Sequence, residues 1–127
     1  MDKAQTGKNG EDQACRFLQE RGHTILERNW RTGHLEVDII SKDGDGVHIV
    51  EVKTRTLPAP AAPEANVDAK KQARLLRAAY AWLASAREKG LRGAEELFFD
   101  VIAVEFTRDG ELAGLQYYPQ AFIPMNI

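Results

Sequence analysis

The sequence predicts one α+β domain, a mixed β-sheet of about five strands flanked by helices in the order α-β-β-β-α-β-β. Two segments repeat apolar residues at helical spacing, and shorter segments alternate apolar with polar residues as strands do. Between two alternating segments, Asp43-Gly44-Asp45-Gly46 has the composition of a hairpin turn. The 127 residues, 43% of them hydrophobic, suffice for a single domain, 1–127, with its own core.

The first half of the chain is predicted to contain a helix and three strands. The helix runs from about Glu11 to Arg21, and Gly22 is suited to ending it. Its apolar face consists of Ala14, Phe17 and Leu18, next to Arg21. The strands are His23 to Trp30, Leu35 to Ser41, and Val47 to Thr54.

The second half is predicted to contain a loop, a long helix and two strands. Three prolines between Leu57 and Pro63 exclude a regular helix or a central strand, so this segment is predicted to be a loop. Helical spacing then runs from Val67 to Lys89, and Gly90 is expected to end that helix. The remaining predicted elements are a strand from Glu96 to Phe106, a turn at Asp109-Gly110, and a strand from Leu115 to Tyr118.

Composition narrows the class of protein. A net charge of −2 argues against a protein that coats nucleic acid by bulk electrostatics. It does not exclude a nuclease, because a local basic patch could still bind phosphate. Cys15 is the sole cysteine, which excludes an internal disulfide framework and a cysteine-rich zinc site. His23, His34 and His48 are scattered and form no ligand pair at helical spacing. No apolar run approaches the roughly 20 residues of a membrane span and no secretory signal is visible, so we expect a cytoplasmic protein without a membrane contact.

The hairpin turn fixes which residues face each other. If it is centred between Gly44 and Asp45, paired residue numbers sum to 89, and directly opposed residues share a face of the sheet. One face then carries Glu36 opposite Lys53 and Asp38 opposite Glu51. The other face carries Val37 opposite Val52 and Ile39 opposite Val50. A slip by one residue would oppose each acid to an apolar residue, so the pattern favours this sum or one that differs by two.

Opposed carboxylates at Asp38 and Glu51 would destabilise a sheet unless a cation lies between them. Oxygen ligands of this kind suit Mg²⁺ or Mn²⁺, and Lys53 on the same face could contact a scissile phosphate or orient a water. The alternative is a solvent-exposed polar face with an ordinary Glu36–Lys53 pair. Ile40 and Ile49 lie on the same face, which indicates that part of this face is covered.

Asp38 followed by Glu51-Val52-Lys53 resembles the PD-(D/E)XK nuclease pattern, in which an acid at the end of one strand precedes Glu-X-Lys on the next. Over nearly the whole chain the sequence also resembles the YraN-like family of bacterial proteins. The residues that carry this resemblance are Gly10-Glu11 with Ala14, Arg28-Asn29-Trp30-Arg31, Glu36-Val37-Asp38-Ile39-Ile40, Val50-Glu51-Val52-Lys53-Thr54-Arg55, Lys71 with Leu75 and Ala79, Phe99-Asp100-Val101, and Ala121-Phe122. The sequence departs from the family at Leu35, where glycine is usual, and at Phe98, where arginine is frequent.

The resemblance implies a restriction-endonuclease-like fold, similar to archaeal Holliday-junction resolvases, and endonuclease activity on DNA. By analogy with resolvases it also implies a homodimer, and a metal-site role for Glu11, a first-helix acid on the apolar side of its helix. The alternative for Glu11 is a helix N-terminal position favoured by the helix dipole. Asp100 interrupts an apolar strand and is expected to be a structural acid that pairs with a neighbour.

Basic residues after the proline-rich loop could form a rim that faces DNA phosphates. They are Lys70, Lys71 and Arg74, with Arg55 and Arg31 expected nearby, and Lys71 matches the lysine of the family. A solvated helix face is the alternative for this run. The sequence therefore predicts a Mg²⁺- or Mn²⁺-dependent endodeoxyribonuclease with Asp38, Glu51 and Lys53 at its centre and Glu36 and Glu11 as auxiliary groups. The alternative function is a catalytically silent nucleic-acid-binding or scaffolding domain of the same fold.

Overall fold

A computed structural model describes residues 2–59, 66–88 and 96–123 of the chain. The predicted order of elements, α-β-β-β-α-β-β, is confirmed. The helices are α1 (Lys3–Glu20) and α2 (Ala69–Glu88). The strands are β1 (Thr24–Thr32), β2 (Leu35–Lys42), β3 (Val47–Thr56), β4 (Leu97–Phe106) and β5 (Leu112–Tyr118).

The five strands form one mixed sheet in the order β1-β2-β3-β4-β5. Sequential neighbours pair antiparallel except β3 and β4, which are parallel. A parallel pair needs a crossover connection, and α2 lies in the segment that provides it. β3 lies at the centre of the sheet, with β2 antiparallel on one side and β4 parallel on the other.

Each helix covers its own apolar cluster. Ala14 and Leu18 of α1 pack with Ile39, Val50 and Ile102 of the sheet. The cluster of α2 contains Leu75, Ala78, Ala79, Trp82 and Leu83, together with Ile40, Ile49 and Phe99. Because Ile39 and Ile40 are consecutive strand residues in different clusters, the two helices lie against opposite faces of the sheet.

Helix α1 begins at Lys3 rather than at Glu11, so the predicted start was wrong. Asp2 caps the helix by accepting a hydrogen bond from the backbone N–H of Gln5 (2.8 Å). The prediction failed because Gly7 and Gly10 lower helix propensity in the first turns. Gly10 is required by packing, since a Cβ there would collide with the side chain of Thr54 on β3. The predicted end is confirmed, because Gly22 follows the helix with φ 92°.

The predicted hairpin register is confirmed where β2 and β3 pair. Four pairs, from Ile39–Val50 to Lys42–Val47, have numbers that sum to 89. At the turn, Asp43 Oδ1 accepts hydrogen bonds from the backbone N–H groups of Asp45 (3.0 Å) and Gly46 (3.2 Å). Pairing between β2 and β3 ends at Ile39, however. The predicted pairs of residues 36–38 with residues 51–53 therefore do not form, because the two strands separate there.

The predicted apolar face of the hairpin was wrong at Val37. Val37 packs in the α2 cluster, whereas Ile39, two residues later, packs in the α1 cluster. Trp30, which pairs with Val37, also packs against the α2 cluster. On β1, Asn29 lies between Arg28, the partner of Ile39, and Trp30, and it has a positive φ of 50°. Alternation of faces holds only for regular extended residues, so it fails where this backbone deviates.

Parts of two predictions fall outside the described residues. These are the far end of the loop from Leu57 to Pro63 and the termination of the second helix at Lys89 and Gly90. Of the helices in the described ranges, neither is long and apolar enough to cross a membrane.

Candidate active site

Asp38 lies where the β2–β3 ladder opens. Its Oδ2 accepts a hydrogen bond from the backbone N–H of Val52 (2.8 Å), so the side chain binds the backbone of β3 in place of a cross-strand carbonyl. This contact holds the carboxylate between the two strands, beside Glu51. The local opening of the sheet therefore creates the site, because a fully paired strand would leave no room for a side chain there.

The two carboxyl groups lie close together and are partly buried, and both hold their protons more tightly than usual. Burial and the charge of Glu51 raise the pKa of Asp38 to about 7, against the opposing effect of the Val52 hydrogen bond. Burial also raises the pKa of Glu51, although the ammonium group of Lys71 opposes this. Near pH 7 the pair thus carries negative charge at a free-energy cost, which a bound cation would remove.

Lysines from β3 and α2 border the carboxylates. Lys71 Nζ lies 3.6 Å from Glu51 Oε2, and Lys53 donates a hydrogen bond to the backbone carbonyl of Asn66. Asp68 fixes the start of α2 by accepting a hydrogen bond from the backbone N–H of Lys71 (2.8 Å). An open pocket of about 240 Å³ lies among these groups. It is lined by Glu51, Lys53, Asn66, Val67, Asp68, Lys71 and Arg74.

Glu11 reaches the site from α1. Its charge contributes to the raised pKa of Asp38, and its Oε2 accepts a hydrogen bond from Asn29 Nδ2 (2.9 Å). The helix-dipole alternative for this residue was wrong, because α1 begins at Lys3 and Glu11 lies beyond its first turns. Glu11 is therefore a further acid near Asp38, held by Asn29.

Glu36 does not pair with Lys53 as the register predicted. Its Oε2 lies 3.4 Å from a guanidinium nitrogen of Arg31, since β2 leaves the ladder before this residue and Lys53 contacts Asn66 instead. Glu36 still lies near enough for its charge to raise the pKa of Glu51. The predicted square of four residues is thus replaced by a different arrangement in which Lys71 joins Lys53 near Glu51, and Glu36 faces Arg31.

The predicted basic residues divide into two groups. Lys71 and Arg74 line the pocket that contains Glu51, and Lys70 is exposed on the same helix. Arg55 lies elsewhere, with its Nε 2.7 Å from Glu105 Oε2, in a separate pocket lined by Lys3, Thr6 and Gly7 of α1. The expectation that Arg55 joins the α2 lysines at one rim is therefore not met.

Known proteins resemble this chain over most of its length. The family model described as "Uncharacterised protein family UPF0102" matches residues 10–104. A UPF0102 protein of Nitratidesulfovibrio vulgaris is 42% identical over 119 residues, which are 92% of this chain and 83% of that protein. A UPF0102 protein of Dictyoglomus turgidum is 36% identical over 122 residues, 96% of this chain and all of that protein. This chain belongs to the UPF0102 family.

Membership of UPF0102, the YraN family, confirms the predicted resemblance. The matched range contains every candidate site residue, from Glu11 to Arg74. A UPF0102 protein from Moorella thermoacetica, 36% identical over 122 residues, spans 96% of this chain and 98% of its own length. The family therefore covers the whole fold described above, including both helices and the open end of the hairpin.

The site contains three residues that were not predicted to belong to it. Asn29 holds Glu11, and Asn66 and Asp68 line the pocket before α2. Asn29 lies in the segment Arg28 to Arg31 that carries the family resemblance, but its contact with Glu11 depends on how α1 packs on the sheet. Asn66 and Asp68 belong to none of the motifs. The one available signal was Asp68 before an amphipathic helix, which is the position of an N-cap.

Proposed function

We propose that this protein is a cytoplasmic, Mg²⁺- or Mn²⁺-dependent endonuclease that hydrolyses phosphodiester bonds in DNA. The observation that carries the proposal is the pair of partly buried carboxylates, Asp38 and Glu51, with raised proton affinity and lysines beside them. Glu51 lies beside Lys71, whereas Asp38 accepts a hydrogen bond from the neutral backbone N–H of Val52. Here two acids share a low-dielectric site, which is the arrangement that a hard divalent cation stabilises.

The donor atoms fit such an ion. Asp38 offers Oδ1, because Oδ2 is engaged by Val52, and Glu51 offers a carboxylate adjacent to an open pocket. Carboxylate oxygens are the ligands that Mg²⁺ and Mn²⁺ prefer, and such a site retains water positions for a substrate phosphate. When bound, the ion would supply Lewis-acid polarisation of a phosphoryl oxygen.

The protein's own residues would bind and orient the DNA backbone. Lys53 and Lys71 place ammonium groups at the pocket, where they would attract the scissile phosphate and stabilise the charge that develops on it. Arg74 would contact a neighbouring phosphate from the next turn of α2. Glu11 and Glu36 would keep the site acidic, and their charges favour cation capture over anion binding before the metal arrives.

The experiment is cleavage of labelled linear duplex, single-stranded and four-way-junction DNA with Mn²⁺ or Mg²⁺. Asp38→Asn preserves the shape of the side chain and an acceptor for Val52, so it isolates the charge. We expect it to abolish cleavage, and Lys53→Ala to slow it by a factor on the order of 100. Glu111→Gln, an exposed acid in the β4–β5 connection, is the matched control and should retain the wild-type rate.

A thermal melt with Mn²⁺ separates the alternatives. Wild type at saturating Mn²⁺ should unfold at a higher temperature, and Asp38→Asn should lose that increase. If Mn²⁺ stabilises the protein and DNA binds but no substrate is cut, the catalytically silent binding domain replaces the nuclease. If Mn²⁺ gives no stabilisation, the proposed metal site is wrong.

A further inference from the structure

A second group of metal-ligand side chains lies at the turn end of the β2–β3 hairpin. His23 follows α1, Asp43 begins the turn, and His48 lies on β3. Nε2 of His48 is 2.9 Å from Asp43 Oδ1, and Nε2 of His23 is 3.4 Å from Asp43 Oδ2. One ligand atom from each residue lies within 4.8 Å of the other two.

The second nitrogen of each imidazole is already held. Nδ1 of His48 lies 2.6 Å from Asp100 Oδ2, and Nδ1 of His23 lies 2.9 Å from Ser41 Oγ. Asp100 is fixed in turn by hydrogen bonds from the Tyr117 hydroxyl (2.6 Å) and the backbone N–H of Gln120 (2.9 Å). Metal-binding histidines usually donate their other N–H to a carboxylate or similar acceptor, which fixes the ring and leaves Nε2 for the ion.

Burial and charge favour a cation at this position. Both histidines are buried, and the ring of Phe98 stacks on His48 with the centroids 5.0 Å apart. The side chain of Asp43 is 22% exposed, which gives an ion a route from solvent. With neutral imidazoles, the carboxylates of Asp43 and Asp100 would balance the two charges of a divalent ion.

We propose that His23, Asp43 and His48 bind a divalent transition-metal ion of the zinc class, at a site separate from Asp38 and Glu51. Two imidazoles and one carboxylate suit zinc, cobalt or nickel, whereas magnesium prefers oxygen ligands alone. Because the ligands come from the α1–β1 connection, the turn and β3, the ion would fasten the hairpin turn to the connection that follows the first helix. The proposal does not depend on nuclease activity, since it uses none of the nuclease residues.

The test is metal titration of the full-length chain carrying Asp38→Asn, which removes the oxygen-ligand site from the measurement. Zn²⁺ should bind with one ion per chain by calorimetry and raise the unfolding temperature, and Co²⁺ should give the visible absorption of a nitrogen-ligated ion. Added separately, His23→Asn and Asp43→Asn should each lower Zn²⁺ affinity at least about 100-fold. The amide of the first can still reach Ser41, and that of the second can still accept from the turn.

His34→Asn is the matched control, because His34 is exposed in the β1–β2 connection and should leave Zn²⁺ binding unchanged. The proposal is overturned if Zn²⁺ gives no thermal shift and Co²⁺ no visible spectrum, in which case the three residues form only an ion-pair network. It is also overturned if the His23 and Asp43 variants bind Zn²⁺ as tightly as their parent. If a variant fails to fold, the Co²⁺ spectrum of the parent decides the question.

Discussion

Each end of the β2–β3 hairpin contains a partly buried aspartate, but the two pKa values are shifted in opposite directions. At the open end, burial and the neighbouring Glu51 raise the pKa of Asp38 to about 7. At the turn end, burial alone would raise the pKa of Asp43, but hydrogen bonds from His48 and from the turn backbone lower it. The chemical group is the same, so the difference lies in how deeply each carboxyl is buried and in which groups surround it.

The turn end alternates acids with bases and hydroxyls. Burial alone would lower the pKa of His48, yet its hydrogen bonds to Asp100 and Asp43 raise it. No buried side-chain polar atom among the described residues lacks a hydrogen-bond partner, so the network contributes to folding. The open end instead places acid beside acid and lowers stability. The comparison shows that one hairpin can have a polar network with paired charges at its turn end and two adjacent acids at its open end.

The largest expected effect is at the turn end. Asp100 is fully buried, so Asp100→Ala would leave His48, the Tyr117 hydroxyl and the Gln120 N–H without their acceptor. We expect the free energy of unfolding to fall by about 3 kcal/mol or more, measured by urea denaturation. Glu51→Ala is the counterpart at the open end. It should change the free energy of unfolding by less than about 1 kcal/mol, because the lost pairing with Lys71 is offset by the relieved repulsion between Glu51 and Asp38. A larger loss for Glu51→Ala would reverse the comparison.

A smaller change, an increase in the free energy of unfolding, is expected on substitution of Asp38. Its folded-state pKa of about 7 exceeds the ordinary value of 3.8, so the folded protein binds the extra proton and wild-type stability falls as pH rises between these values. Asp38→Asn has no charge to bury. In EDTA it should therefore gain about 2 kcal/mol at pH 8, about half of what a pKa difference of roughly three units gives at about 1.4 kcal/mol each, because the partly buried amide also loses hydration.

The gain from Asp38→Asn should shrink as the pH is lowered from 8 to 5, when the wild-type carboxyl becomes protonated. Chemical denaturation of both proteins at the two pH values measures it. An equal gain at both values would show that the effect is not electrostatic, and a loss at pH 8 would show that the Asp38 charge stabilises the fold.

The smallest expected effect concerns α1, which packs against the hairpin and carries Glu11. Gly10→Ala would push a methyl group into Thr54, and we expect a loss of about 1–2 kcal/mol in thermal or urea unfolding. Gly7→Ala, in the same helix but with no atom within 4 Å of the added Cβ, should gain up to about 1 kcal/mol. Adding Thr54→Ala to Gly10→Ala should restore part of the loss. Equal effects of the two glycine variants would remove the packing argument.

Local pattern was sufficient for much of the fold. The order of elements, the hairpin turn and its register for Ile39 to Lys42 followed from alternation and turn residues, because these are properties of neighbouring positions. The start of α1 did not follow, since the reason for Gly10 is Thr54, a residue far along the chain. Asp100 was expected to be a structural acid, and its contacts with His48 and Tyr117 confirm this.

The sequence by itself determined which residues could form the proposed metal site, namely Asp38, Glu51 and Lys53, because their types and spacing follow from two adjacent strand patterns. Only the tertiary structure decided how they meet. The ladder opens at Asp38, Lys71 arrives from α2 to contact Glu51, and Asn29 holds Glu11. It also brought His23 and His48, which looked scattered, to a ring separation of 4.5 Å. Strand pattern records the face that a residue occupies, whereas distances between elements depend on how both helices pack on the sheet.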